Sequence, residues 1–247
     1  MGQIWVYTLV SVFVVSLVSF VGAFTLAIRT EKLRNWLLYL VSFAAGALLG
    51  DVFLHIMPEM AVRGFGAKEG YYILIGIFIF LVLERLIFWH YSHHEHEETI
   101  HSAVYLTQAG DTLHNFVDGV IIAAAYLINL PVGLATTLAV IFHEIPQEIG
   151  NFAVFIHGGW STAKALFYNF LSALSAVAGA LSVLLFLRHL QEVPLWLISL
   201  AASSFIYIAM SDLIPEIHKE KNHSKTFFLL LWFALGIVVM GLLLLLE

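Results

Sequence analysis

Residues 107–119 read Thr107-Gln108-Ala109-Gly110-Asp111-Thr112-Leu113-His114-Asn115-Phe116-Val117-Asp118-Gly119, inside a longer apolar run over 103–127. Asp111, His114, Asn115 and Asp118 interrupt the run at spacings of three and four, so on a helix they share an arc of about 100°. A second apolar run, 132–156, carries His143, Glu144, Gln147, Glu148 and Asn151, which fill an arc of about 140° by the same geometry. His143 stacks with Gln147, and Glu144 with Glu148 and Asn151. Each helix is therefore apolar on most sides and carries one stripe of nitrogen and oxygen donors.

Outward from these two runs, the whole chain divides into apolar stretches of similar length: 4–28, 36–58, 71–89, 103–127, 132–156, 164–187, 194–214 and 227–246. A helix needs about 20 apolar residues to cross the hydrocarbon core. Eight such stretches occupy 247 residues and leave no length for a water-soluble domain. The first stretch is too long for the core of a signal peptide and has no basic residue before it, so it is read as a span. Composition agrees, with 61% hydrophobic and 11% charged residues against about 25% charged in soluble domains. The expected architecture is all-α: one polytopic membrane domain over 1–247, with eight transmembrane helices in a bundle and spans four and five inside. There is no cysteine, which removes thiolate ligands and disulfides, and a net charge of −6 offers nothing to nucleic acid.

Basic residues orient the chain. With alternating spans, Arg29, Lys32, Arg34, Arg85, Lys164, Lys219, Lys221 and Lys225 fall on one side, and only Arg63, Lys68 and Arg188 on the other. The positive-inside rule then puts both termini outside the cytoplasm and the 90–102 segment within it, in a plasma (inner) membrane. That segment runs His90-Tyr91-Ser92-His93-His94-Glu95-His96-Glu97-Glu98 and on to His101. It reads either as a solvated linker or as a loop that collects metal weakly through His93, His94, His96 and His101.

An ionised carboxylate at a membrane-helix centre costs roughly 2.5–3.5 kcal/mol on insertion scales. Asp111, Asp118, Glu144 and Glu148 have no lysine or arginine on spans four or five to neutralise them. Protons, water or a bound cation remain as compensators. The donor list of imidazoles, carboxylates and amides matches a divalent transition metal, zinc first, with Fe²⁺, Mn²⁺, Co²⁺ or Cd²⁺ also admitted. A polar network that merely pins two helices, or a proton relay without metal, would use the same residue types. Asp51 and His55 on span two, and Asp212 and Glu216 on span seven, read as the two ends of a pathway. Spans two and seven also share an ending, Met57-Pro58-Glu59 and Ile214-Pro215-Glu216, as an inverted repeat would produce.

His114-Asn115-Phe116-Val117-Asp118-Gly119 resembles the His-Asn-x-x-Asp-Gly signature of the ZIP family of metal transporters. His143-Glu144-Ile145-Pro146-Gln147-Glu148 resembles the His-Glu-x-Pro-His-Glu signature of its LIV subfamily. The resemblance covers essentially the whole chain. It implies transport of a divalent metal toward the cytoplasm and a helical bundle often paired as a homodimer. It also implies a first ligand set of His114, Asp118, His143 and Gln147, flanked by Asn115, Glu144 and Glu148. The chain departs from the pattern at Gln147, where the subfamily has a second histidine, and at Asn151, where aspartate is common. Span six offers Asn169, Ser172 and Ser175 where some members supply a carboxylate for a second metal. Two other functions compete. An intramembrane zinc metalloprotease would need His-Glu-x-x-His, and Gln147 breaks that motif. A proton-coupled carrier of small solutes would want cationic or aromatic clamps that the stripes lack.

Overall fold

The computed structural model describes residues 2–25, 30–92, 99–186 and 194–246. Every element among them is helical. Helix α1 (Gly2–Leu17) continues through a 3-10 turn into Val21–Thr25. Helix α2 (Thr30–Asp51) passes through a π turn at Val52–Ile56 and ends as Met57–Val62. Helices α3 (Ala67–Ser92), α4 (Thr99–Ile128) and α5 (Leu130–His157) follow. Helix α6 is Thr162–Ala173, broken at Leu174 and resumed as Ser175–Phe186. Helix α7 (Leu195–Tyr207) passes through a second π turn, Ile208–Leu213, into Ile214–His218, and α8 is His223–Leu243.

Among the described residues six segments are long and apolar enough to cross a membrane: Gly2–Ala23, Trp36–Val62, Thr107–Ile128, Thr162–Phe186, Leu195–His218 and His223–Leu243. The sequence led to an expectation of eight. The other two long helices are α3 and α5, at 26 and 28 residues. The donor stripe of α5 lowers its hydropathy. The 90–102 segment is shorter as a connection than its composition suggested, because helix continues to Ser92 and resumes at Thr99. His93, His94 and His96 lie outside the described residues, and His101 belongs to the first turn of α4.

The shared endings of spans two and seven have a shared geometry. Pro58 and Pro215 have no N–H to donate, and their rings crowd the carbonyls of Leu54 and Ser211 four residues earlier. In both helices the backbone widens into a π turn just upstream of the proline. Such turns re-aim the side chains around them.

Small residues decide which helices lie closest. A Cβ on Gly119 of α4 would strike the backbone carbonyl of Ala176 on α6, and one on Gly179 of α6 would strike that of Phe116 on α4. Gly46 of α2 and Gly236 of α8 meet the carbonyls of Phe233 and Phe43 in the same reciprocal way. Within a membrane, where burial away from water drives nothing, such close backbone approach is a main source of helix association. Helices α3 and α7 are joined by Gly76 against Ser203, whose hydroxyl donates to Ile73 O at 3.0 Å. The bundle thus contains tight pairs α2–α8, α3–α7 and α4–α6, with α5 lying along both α4 and α2. At one end of α5 and α6, Lys164 sits 4.3 Å above the Trp160 ring, with Tyr105 edge-on to that ring and Tyr168 tilted against it. Rings and ammonium of this kind mark the level of the lipid headgroups.

Gly119→Ala should lower the thermal unfolding midpoint of the detergent-purified protein, because overpacking against a backbone carbonyl costs about 1–3 kcal/mol. Gly150→Ala should not lower it, since a Cβ there meets nothing within 4 Å. Equal midpoints for the two variants would contradict the packing described.

Candidate metal centre

Four side chains on α4 and α5 converge. His114 and Asp118 face His143 and Glu144, and one ligand atom from each lies within 4.8 Å of all the others. His114 Nε2 is 3.1 Å from His143 Nε2, 3.3 Å from Glu144 Oε1 and 3.6 Å from Asp118 Oδ2. His143 Nε2 is 3.3 Å from Asp118 Oδ2 and 3.5 Å from Glu144 Oε1. Zinc bonds of about 2.0–2.1 Å in tetrahedral geometry require donor separations of about 3.3 Å. The five distances bracket that edge length.

The electrostatics point the same way. His143 and Asp118 are fully buried and Glu144 is 1% exposed. Both oxygens of Asp118 and Oε1 of Glu144 are buried with no hydrogen-bond partner. Unpartnered buried carboxylate oxygens are among the most unfavourable groups a protein can hold. His143 Nδ1 donates to Ala139 O at 3.1 Å, which leaves Nε2 as a lone pair aimed at the centre. At 1.5 Å per residue the centre lies about 20 Å from either end of α5, at mid-membrane depth.

Among histidine and carboxylate side chains, Glu144 completes the foursome. Gln147 belongs to the same wide arc of α5. Gln147 instead lines a large cavity that opens from the centre toward the α7–α8 connection. His114 is 18% exposed and forms the contact between centre and cavity. The cavity has a volume of about 1320 Å³ and is also lined by Asp111, Asn151, Asp212 and Glu216, with Lys219, Lys221 and Lys225 at its mouth. At that mouth Lys219 pairs with Glu216, and Lys225 lies 2.7 Å from Glu220, holding that carboxyl below the ordinary range.

A second polar cluster adjoins the centre. Asp111 accepts hydrogen bonds from Asn151 Nδ2 at 2.7 Å, from Asn115 Nδ2 at 3.3 Å and from Ser172 Oγ. It thereby ties α4, α5 and α6 together. Glu148 is buried beside it, and Glu148 Oε2, Asn115 Oδ1 and Asn169 Oδ1 are buried without partners. Asp51 and His55 are placed elsewhere. Both are buried on the face opposite the cavity, where Thr136 Oγ1 donates to Asp51 Oδ2 at 3.0 Å and His55 Nε2 donates to Met240 O at 3.0 Å. Glu84 is a cavity residue that the sequence reading passed over; it accepts a hydrogen bond from Tyr207 on α7. A glutamate inside the 71–89 apolar run was the signal for it.

Comparison with known proteins follows this geometry. The family model described as "ZIP Zinc transporter" matches residues 3–105 and 90–244. The chain is 32% identical over 231 residues to zinc transporter ZIP13 of Pongo abelii, covering 87% of this chain and 69% of the relative. It is 37% identical over 155 residues to zinc transporter foi of Drosophila melanogaster, covering 62% of this chain and 22% of the relative. It is 41% identical over 118 residues to human zinc transporter ZIP4, covering 48% of this chain and 18% of the relative. The chain thus spans only a small part of the two longer relatives and most of the shorter one.

Glu144→Ala should weaken zinc binding by at least about tenfold, as loss of a direct ligand does where even outer partners are worth 10–100-fold. Gln147→Ala should leave affinity within a few-fold. Titration calorimetry on both purified variants compares them, and equal losses would return Gln147 to the first set. With the family model covering nearly the whole chain and a relative 32% identical over most of it, the chain belongs to the ZIP family of zinc transporters.

Proposed function

We propose that this protein carries Zn²⁺ across a membrane through His114, Asp118, His143 and Glu144. The observation that carries the reading is a set of four donors at zinc-like separations, two of them buried carboxylates whose only close neighbours in the set are the two imidazoles. Eight helices cross the bilayer in this reading. Helices α3 and α5 complete the six that hydropathy alone supports, being long enough at 26 and 28 residues. The lysine-bearing mouth of the cavity belongs to the basic side of the chain, so the positive-inside rule puts it in the cytoplasm and both termini outside. Zinc would leave the centre past His114 into the cavity. Asp111, Asn151, Asp212 and Glu216 offer it oxygens along the way. Pairing into a homodimer, and residence in the plasma membrane, are carried over from the resemblance and the topology alone.

Nothing in the site serves peptide hydrolysis. Glu144 sits within the donor set instead of beside it, where it would have to stand free as a general base. Coordinating imidazoles must be neutral, so protons compete with zinc for the centre.

Zinc uptake into liposomes tests the reading. Asp118→Ala should insert normally, because it removes a charge from mid-membrane, and should lose uptake to below about a tenth of wild type. Normal uptake by this variant would defeat the assignment. Deleting residues 92–98 should leave the translocation step working, with changes confined to apparent affinity.

A further inference from the structure

The centre opens to the cavity, but the opposite face is shut. There α2 and α7 press against α4 and α5. Ile56, Ile198 and Ala201 from the first pair meet Ala125, Ile128 and Thr136 from the second. The void left between them is about 10 Å³, at the limit of what admits one water. For zinc to reach the centre from that face, this seam has to part. This step rests on the transport reading above.

The packing shows why this seam is the one to part. The pairs α2–α8, α3–α7 and α4–α6 interlock backbone to backbone through reciprocal glycine contacts or a glycine against a serine that bonds to backbone. Asp111 adds hydrogen bonds from α5 and α6, and Ser11 of α1 bonds to Tyr126 of α4 at 2.8 Å. The seam itself runs between α4 and α5 on one side and α2 and α7 on the other. The seal between them is made of alanine and aliphatic side chains, which hold only by contact and part without breaking a network.

A polar contact between described residues crosses the seal. Thr136 Oγ1 on α5 donates to Asp51 Oδ2 on α2 at 3.0 Å, and both residues are fully buried. A threonine in a membrane helix ordinarily bonds back to its own helix, as Thr137 does next door to Gly133 O at 2.7 Å. Thr136 bonds across the seam instead. We propose that the Thr136–Asp51 hydrogen bond is a latch that holds this seam closed on the face opposite the cavity. Parting the seam hydrates the Asp51 carboxylate, so the hydrogen bond that closes the seal is replaced by water when it opens. The latch therefore sets the balance between the two accessible states without blocking either.

The natural absence of cysteine makes a clean test. Ala125→Cys places one thiol inside the seal. Its modification by a membrane-impermeant methanethiosulfonate, added from the face opposite the cavity, reports how often the seam parts. In the Thr136→Val background the rate should rise about fivefold, the effect expected for losing one buried hydrogen bond from the closed state. In the Thr136→Ser background, which keeps the hydroxyl, the rate should stay near that of Ala125→Cys alone. Equal rates in all three backgrounds, or a rise with serine as large as with valine, would overturn the latch. Thr136→Ala removes the same hydroxyl with less bulk and serves if the valine variant fails to insert. Zinc affinity, measured on each preparation, should be unchanged, since the hydroxyl lies outside the donor set. The labelling readout needs no transport, so a protein that labels as expected yet moves no zinc would fault the transport reading and leave the latch standing.

Discussion

Two buried carboxylates with only imidazoles beside them, and no lysine or arginine, are the constraint from which the rest of the structure follows. Asp118 and Glu144 lie at mid-membrane depth, and neither α4 nor α5 has a lysine or arginine to meet them. A charge there is tolerated only in the interior of a bundle and only with something to balance it. That requires the donor stripes of α4 and α5 to face each other, away from their exposed apolar residues such as Phe116 and Leu134. The glycine contacts follow in turn, because helices that must bury a polar pair have to approach closely elsewhere to hold it.

Much of this was legible from residue spacing. The three-and-four pattern of Asp111, His114, Asn115 and Asp118 identifies both the helix and its inward face, since membrane helices have only one way to hide donors. Choosing between Glu144 and Gln147 was not legible. Both lie in one 140° arc, and the edge that meets α4 is set by the crossing of two helices, a property of packing that no single helix encodes. The signature resemblance favoured Gln147 because it stands where the subfamily has histidine. The number of spans met a related difficulty, since the residues that make α5 functional also lower its hydropathy. Thr136 carried no signal at all. A threonine in an apolar helix reads as self-satisfied until its partner is seen on another helix.

The two faces of the molecule are built by opposite means. On one, the prolines and π turns of α2 and α7 redirect the chain, and the α7 turn carries Asp212 into an open cavity. On the other, small apolar side chains close to a void no larger than one water. A single centre between a wet cavity and a dry seal is accessible from one side at a time, which is what distinguishes a carrier from a channel.

Charge balance explains why glutamate rather than an amide or a third imidazole completes the set. Two neutral imidazoles, two carboxylates and one Zn²⁺ sum to zero. In a low-dielectric interior a neutral assembly avoids the large desolvation penalty that any net charge meets. With Gln147 in place of Glu144 the loaded centre would be a net cation, and Glu144 would remain nearby as a second unpaired charge. With the metal gone, protons or water have to take its place between the two carboxyl groups. His114 supplies the route for both, being the one donor of the four with measurable exposure, on the cavity side. The same arrangement that makes zinc a good occupant therefore makes its departure depend on the wet cavity, and the direction of release follows from which face that cavity opens on.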